Sequence, residues 1–403
     1  MFTKNKIYIV IFLGFISSIL LSNYYVLKYD KFSHKGNHIL LKDETYYHWY
    51  HGAKIVEDVK NGKNFFLSGD IIFTKPLPQR IVALYSLLSG HEIMEEWKQS
   101  GPNPKINLGG KLPFLIMQSL IYYLALVYLF LKIYKIFPVR NCFYIIFFLA
   151  FEHTINQYHS SFWTESIYFS MQILLIGMLF NKSKSFFYLL LIGALIGIMF
   201  LQRSVAIFYI IPIIIYFIFS YKNKSIKPII ASSIGYLLII SLVGLYNYQK
   251  TSYFYIFPSE GKRDVFNFFS LPILAEEKNI SKEEATNVEI KKAGEWIKNN
   301  NIILKNEIDT IEGQHGILSY VDLIEKEDDK IRYYNYLNKR QYEIILQHPI
   351  PTIKRLIIQV ARFSVLDPIH NYYYNEHRGK GKEPAFINSA IHDKWIPFRI
   401  IYS

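Results

Sequence analysis

Residues 7–27 read IYIVIFLGFISSILLSNYYVL, a run without one charged side chain. A hydrocarbon core about 30 Å thick takes roughly 20 mainly apolar residues of helix to cross. The run therefore predicts a membrane-spanning helix. Lys4 and Lys6 precede it, as they would in a secretory signal. The apolar stretch is too long for a signal-peptide core and has no small-residue cleavage pattern, so it reads as an uncleaved span.

Similar runs follow at 112–133, 142–152, 163–180, 186–201, 205–220 and 228–248. The fold class expected is mainly α, a polytopic membrane protein with about seven spans. The run at 142–152 is short, which predicts a tilted or partly embedded segment. Alternating sidedness puts Lys4, Lys6, Lys132, Lys135, Arg140, Lys182, Lys184, Lys222, Lys224 and Lys227 on one side; the short turns on the other side carry Arg203 alone. Positive charge is retained in the cytoplasm, so the N-terminus is expected there. A bacterial inner (plasma) membrane is the expected location.

That topology divides the chain into a membrane domain, 1–248, and an outer domain, 249–395. A first outer loop covers 28–111. In the outer domain Ser281 and Glu284 have the spacing of a capping box ahead of EEATNVEIKKAGEWIKNN. A second helix is expected from Asp328 to Gln347, stopped by His348-Pro349, and an apolar-faced segment follows Pro351. Residues 396–403, IPFRIIYS, read as the start of a further span and suggest a truncated chain.

The net charge of +13 follows from those topological lysines and does not imply nucleic acid, because the aromatic residues, 17% of the chain, sit in and beside the spans rather than on a soluble basic face. The single cysteine, Cys142, excludes an intrachain disulfide and a cysteine zinc cluster.

Behind the first span lies KDETYYHWYHGAKIVEDVKNG, from Lys42. Read as a helix from Asp43, it puts Tyr46, Trp49, Tyr50, Ala53 and Val56 on one face and Glu44, His48, His51 and Asp58 on the other. The aromatic face suits the membrane boundary; the other is expected to meet water or a cleft. Asp43 is also a good N-cap. Glu44, His48 and His51, at i, i+4 and i+7, are candidate ligands for a divalent metal, though no metal motif requires one.

The form D-E-x-x-Y soon after a first span, here Asp43, Glu44 and Tyr47, resembles the first outer loop of GT-C type membrane glycosyltransferases. This is the superfamily of the dolichyl-phosphate-mannose protein mannosyltransferases and aminoarabinose transferases. FTKPLPQRIVALYSLLSG from Phe73, SSFWTESIYFSMQILLIG with Thr164-Glu165, LQRSVAIFYIIP with Arg203, and YNYQKTSYFYIFPSEGKRDVFNFFSLPILA continue the resemblance in order.

The resemblance implies sugar transfer from a polyprenyl-phosphate donor to a hydroxyl of a glycan, lipid or protein acceptor, on the outer face of the membrane. It implies Asp43 as the base, with Glu44 as helper. A phosphate leaving group calls for positive charge, which Lys75, Arg80 and Arg203 can provide. Arg203 ranks first, because an arginine between two apolar spans is costly without a partner. Tyr47, His48, His159 and Glu165 complete the candidate substrate-binding set; Glu152, His153 and His159 read individually as ordinary interfacial polarity. The alternatives are a transporter or flippase, an envelope-polysaccharide polymerase or ligase, and a structural scaffold. Span interiors almost free of charge speak against transport.

Overall fold

The computed structural model describes residues 3–30, 44–66, 68, 76–90, 112–159, 164–181, 185–255, 266–304 and 319–365. The described residues are helical throughout, apart from turns, short 3₁₀ and π segments and one isolated bridge between Leu304 and Ile324. The protein is a mainly α, polytopic membrane protein. Its chain divides into two compact units, Met1–Tyr246 and Asn247–Ser403.

The first unit contains α1 (Lys4–Asp30), α2 (Glu44–Lys60), α3 (Pro76–Ser89), α4 (Leu112–Ile133), α5 (Val139–Phe151), α6 (His153–His159), α7 (Thr164–Leu179), α8 (Phe186–Gln202), α9 (Ile210–Tyr221) and most of α10 (Ile226–Thr251). All seven expected spans are helices. Lys4–Tyr24, Leu112–Ile133, Val205–Lys224 and Ile226–Gln249 are long and apolar enough to cross a bilayer; α5, α7 and α8 are shorter apolar helices. One boundary differs in kind. The segment beginning at Val205 opens as a 3₁₀ helix, Ser204–Tyr209, because Arg203 is extended and breaks the run after α8.

Contacts fix the relative directions. Gly14 of α1 lies against Tyr123 and Ala150, Tyr8 rings with Phe130, and Ser18 bonds Ser119 at 2.9 Å, so α1 runs antiparallel to α4. Gly177 of α7 abuts Tyr128 and Leu129, and Ser166 near its start reaches Tyr122 through His159, so α4 and α7 run parallel. Ile7, Ile11, Tyr122, Leu126, Phe130, Ile146 and Ile173 form the core of this group. Apolar burial drives little association inside lipid, where close packing and hydrogen bonds carry it. The α8–α10 seam has that character: a Cβ on Gly193 would stand 1.8 Å from the Ser232 carbonyl oxygen, one on Gly235 2.0 Å from that of Leu190, and Ser232 donates to the Leu189 carbonyl at 3.1 Å.

The short α5 ends against α4. Tyr122 donates to the Leu149 carbonyl at 2.8 Å and Tyr123 to that of Ala150 at 2.7 Å. The last carbonyls of a helix have no partner of their own, and the adjacent tyrosines of α4 supply one.

In the second unit, Ser281 accepts from the Glu284 amide at 3.1 Å and Glu284 accepts from the Ser281 amide at 2.7 Å, the capping box expected at the start of α12 (Lys282–Asn299). Before it come a π-helical turn, Phe266–Ser270, and α11 (Leu271–Lys278); after it, α13 (Ser319–Leu323), α14 (Glu327–Gln347) and α15 (Pro349–Val365). The last begins at Pro349, before the expected Pro351, since proline is tolerated in the first turn of a helix. Leu271, Leu274, Ala293, Tyr333 and Leu337 make its core, where Trp296 stacks on Tyr336 at 4.7 Å.

Candidate functional site

Helix directions gather the basic residues Lys4, Lys132, Lys135, Arg140, Lys222, Lys224 and Lys227 at one end of the first unit. At the opposite end, α7 begins and α8 finishes, and there the structure brings two candidate residues together. Glu165, in the first turn of α7, forms an ion pair with Arg203, the residue after α8. A carboxylate is favoured at a helix N-terminus, so α7 supports Glu165 as Glu165 supports Arg203. The side chains retain 13% and 28% exposure respectively, so the pair is withdrawn from the surface but reachable.

Neighbouring groups fix this corner. Thr164 Oγ1 donates to Glu165 Oε2 at 3.2 Å, and Gln202 Nε2 donates to the Thr164 carbonyl at 2.9 Å, tying the end of α8 to the start of α7. Gln202 Oε1 is buried without a hydrogen bond. Deeper in the same corner Gln172 bonds Tyr209, whose ring stands edge-on to Tyr168 at 6.5 Å. Gln202 was not singled out in the sequence; its signal was a polar side chain closing a continuous apolar helix, directly before Arg203.

His159 departs from the interfacial reading. It is fully buried, with Nδ1 2.7 Å from Ser166 Oγ, its ring 4.5 Å from that of Tyr122, and Nε2 without a hydrogen-bond partner. Burial penalises the imidazolium and lowers its pKa to about 3. A neutral imidazole with one unfilled nitrogen is thus held under the first turn of α7. Glu152 is exposed, and its carboxylate accepts from the Ile155 amide at 2.6 Å, capping α6. The side chain of His153 lies outside the described residues.

The acidic loop is described in part. Helix α2 begins at Glu44; Asp43 and Lys75, and the side chains of Glu44, Tyr47 and His48, lie outside the described residues. Of the two settings expected for its helix face, water or a cleft, His51 has the enclosed one. It is 8% exposed, and the adjoining Gly52, with Ile55 and Val56, packs against α3. Gly52 shows how close that contact is, for a Cβ there would lie 2.8 Å from Val82 Cγ1. The stripe of Glu44, His48 and His51 leads to Ile55, one turn on, which is why its far end is buried. Asp58 pairs with Lys63 at 2.6 Å.

Arg80 also has defined partners. Its guanidinium donates to the Pro76 carbonyl at 3.2 Å and the Phe66 carbonyl at 3.0 Å, and lies 5.3 Å from the Tyr246 ring. It joins α3 to the turn after α2 and to the finishing end of α10, the end that carries Glu165 and Arg203. Among the described residues no three His, Cys, Asp or Glu side chains are gathered to hold a metal. A metal on His51 would have to share the packed α2–α3 contact, a poor fit for that ligand.

Residues 105–246 match the family model described as dolichyl-phosphate-mannose-protein mannosyltransferase. The matched segment takes in α4 to α9 and most of α10, and so includes His159, Glu165 and Arg203, whereas the acidic loop precedes it. No curated protein and no solved structure matches the chain. The family match supports a membrane glycosyltransferase of GT-C type, working with a lipid-linked sugar donor and an acceptor.

Proposed function

We propose that this GT-C protein transfers a sugar from a polyprenyl-phosphate donor to a hydroxyl acceptor at the Glu165–Arg203 end of its bundle. The observation that carries the reading is the Glu165–Arg203 pair, inside the family-matched segment and at the end opposite the lysines. By the retention of positive charge in the cytoplasm, the lysine end is cytoplasmic and the pair faces outward, in a bacterial inner membrane.

The acceptor oxygen attacks the anomeric carbon while the bond from that carbon to the phosphate oxygen breaks, inverting the configuration in one displacement. Asp43 takes the acceptor proton, with Glu44 beside it as helper. The leaving lipid phosphate carries the electron pair away, and Arg203 meets its charge. An oriented guanidinium needs no reorganisation at the moment of reaction, and Glu165 acts as the positioning residue that orients it. The resemblance to GT-C transferases assigns Tyr47, His48 and Lys75 to substrate binding. Arg80 acts by joining α3 to the turn after α2, and His159 supports the start of α7 from beneath.

The test incubates membranes containing the protein with a panel of polyprenyl-phosphate sugars and follows donor consumption. Consumption of at least one donor by the wild type, lost in R203Q at equal expression, supports the reading. Well-expressed wild-type protein that consumes none overturns it.

A further inference from the structure

The lysine end of the first unit contains a cavity of about 740 Å³ where α8 begins and α9 turns into α10. Lys222, Lys224 and Lys227 stand on its rim, and Phe186, Leu189 and Ile230 supply apolar wall; among the described residues no acidic one lines it. Further along the same helices lies a second, separate cavity of about 200 Å³ between α8, α9 and α10. Its lining includes Ile196, Ile213, Ile214, Phe217 and Ile229. Three cations thus stand at the first cavity, and an apolar cavity lies next to it along the same helices.

The turn itself is unusual. Lys222 has φ +50° and ψ −126°, a backbone region that residues with a side chain seldom occupy and that persists only where surroundings enforce it. Lys222 and Lys224 sit in a single 3₁₀ turn, and Lys227 follows in the first turn of α10. Retention of positive charge on one side of the membrane explains why lysines are here. It does not explain a cavity beneath them with apolar wall, followed along the same helices by an apolar one.

We propose that this is a binding site for an anionic glycerophospholipid, with the phosphate headgroup on Lys222, Lys224 and Lys227 and an acyl chain in the isoleucine-lined cavity. Basic pockets between membrane helices recognise such headgroups by charge. A soluble anion would use the lysines but leave that cavity empty; a zwitterionic lipid would use the cavity without drawing on the excess positive charge. The site lies at the opposite end from Glu165 and Arg203 and stands or falls independently of the proposed transfer reaction. A lipid seated here bridges the α8–α9–α10 group at the face where the lysines would otherwise repel one another.

The test is native mass spectrometry of the full chain, purified in detergent and exchanged against phosphatidylglycerol, phosphatidylcholine and a polyprenyl phosphate. The wild type is expected to retain phosphatidylglycerol about tenfold more than phosphatidylcholine. K222Q/K224Q/K227Q removes that preference, while K222R/K224R/K227R keeps it. S233W fills the isoleucine-lined cavity without altering charge and lowers phosphatidylglycerol retention severalfold. Equal retention of the two glycerophospholipids by the wild type overturns the site, as does preference for the polyprenyl phosphate. A preference surviving in the glutamine variant, or lost in the arginine variant, also overturns it. Wild-type retention in S233W contradicts the acyl seat.

Discussion

Glu165 and Arg203 meet across the start of α7 and the end of α8, two residues separated by a whole helical hairpin of apolar sequence. In the proposed reaction the guanidinium does the chemical work and the carboxylate aims it. R203Q should lower turnover by on the order of 10²–10³-fold, the usual loss when one preorganised charge-stabilising group is removed. R203K should fall between, because lysine keeps the charge but not the planar fork. E165Q should cost less than R203Q. Donor consumption by purified variants at matched concentration checks that order.

His159 gives the first unit a pH dependence with a definite sign. Its folded pKa, about 3, lies below the ordinary value of 6.5, so the unfolded chain binds the proton more readily. Stability is therefore full above pH 6.5 and declines as the pH falls toward 3. Between pH 6.5 and 5 the change is about 2 kcal/mol at most. Thermal unfolding in micelles should show a lower midpoint at pH 5 than at pH 7.5, with a flatter profile in H159Q.

The α8–α10 seam should tolerate no methyl group. G193A and G235A each drive a Cβ into a backbone carbonyl, and each should cost about 3 kcal/mol through overpacking. G294A in the second unit meets only the hydroxyl end of Tyr320 at 2.6 Å, which can swing aside. It should cost less than the other two, as midpoints of unfolding will show.

Inside the second unit Glu289 is fully buried and accepts two hydrogen bonds from Arg340, at 2.8 and 2.9 Å, and one from Lys292 at 2.9 Å. Burial alone would raise the Glu289 carboxyl, but the bonds and charges of Arg340 and Lys292 outweigh it and hold the pKa below the ordinary value. R340A leaves that carboxylate uncompensated and should cost on the order of 3–5 kcal/mol. Because the folded pKa is depressed, the pair stabilises above the ordinary carboxylate pKa, and its contribution is lost as the pH falls through the folded value. Hydrogen exchange across α12 and α14 should quicken in R340A at neutral pH.

Much of the fold was legible because spans announce themselves by uninterrupted apolar length, and the Ser281–Glu284 box by spacing alone. The site was legible only as single residues. Glu165 and Arg203 stood out for their places at span ends, yet nothing local joins positions 38 residues apart. The burial of His51 and His159 was hidden for a related reason. Helical periodicity gives relative faces, but which face is buried depends on α3 and on Tyr122, remote partners that no local pattern names. Gln202 was hidden by composition, one amide at the end of a long apolar run.

The central claim is transfer from a polyprenyl-phosphate sugar with Asp43 as base, and its most direct measurement is single-turnover donor consumption by wild-type and D43N protein in the same membranes. The account predicts that both bind the donor, that the wild type consumes it, and that D43N slows consumption by at least about 10²-fold. Donor consumption by D43N at the wild-type rate would contradict it.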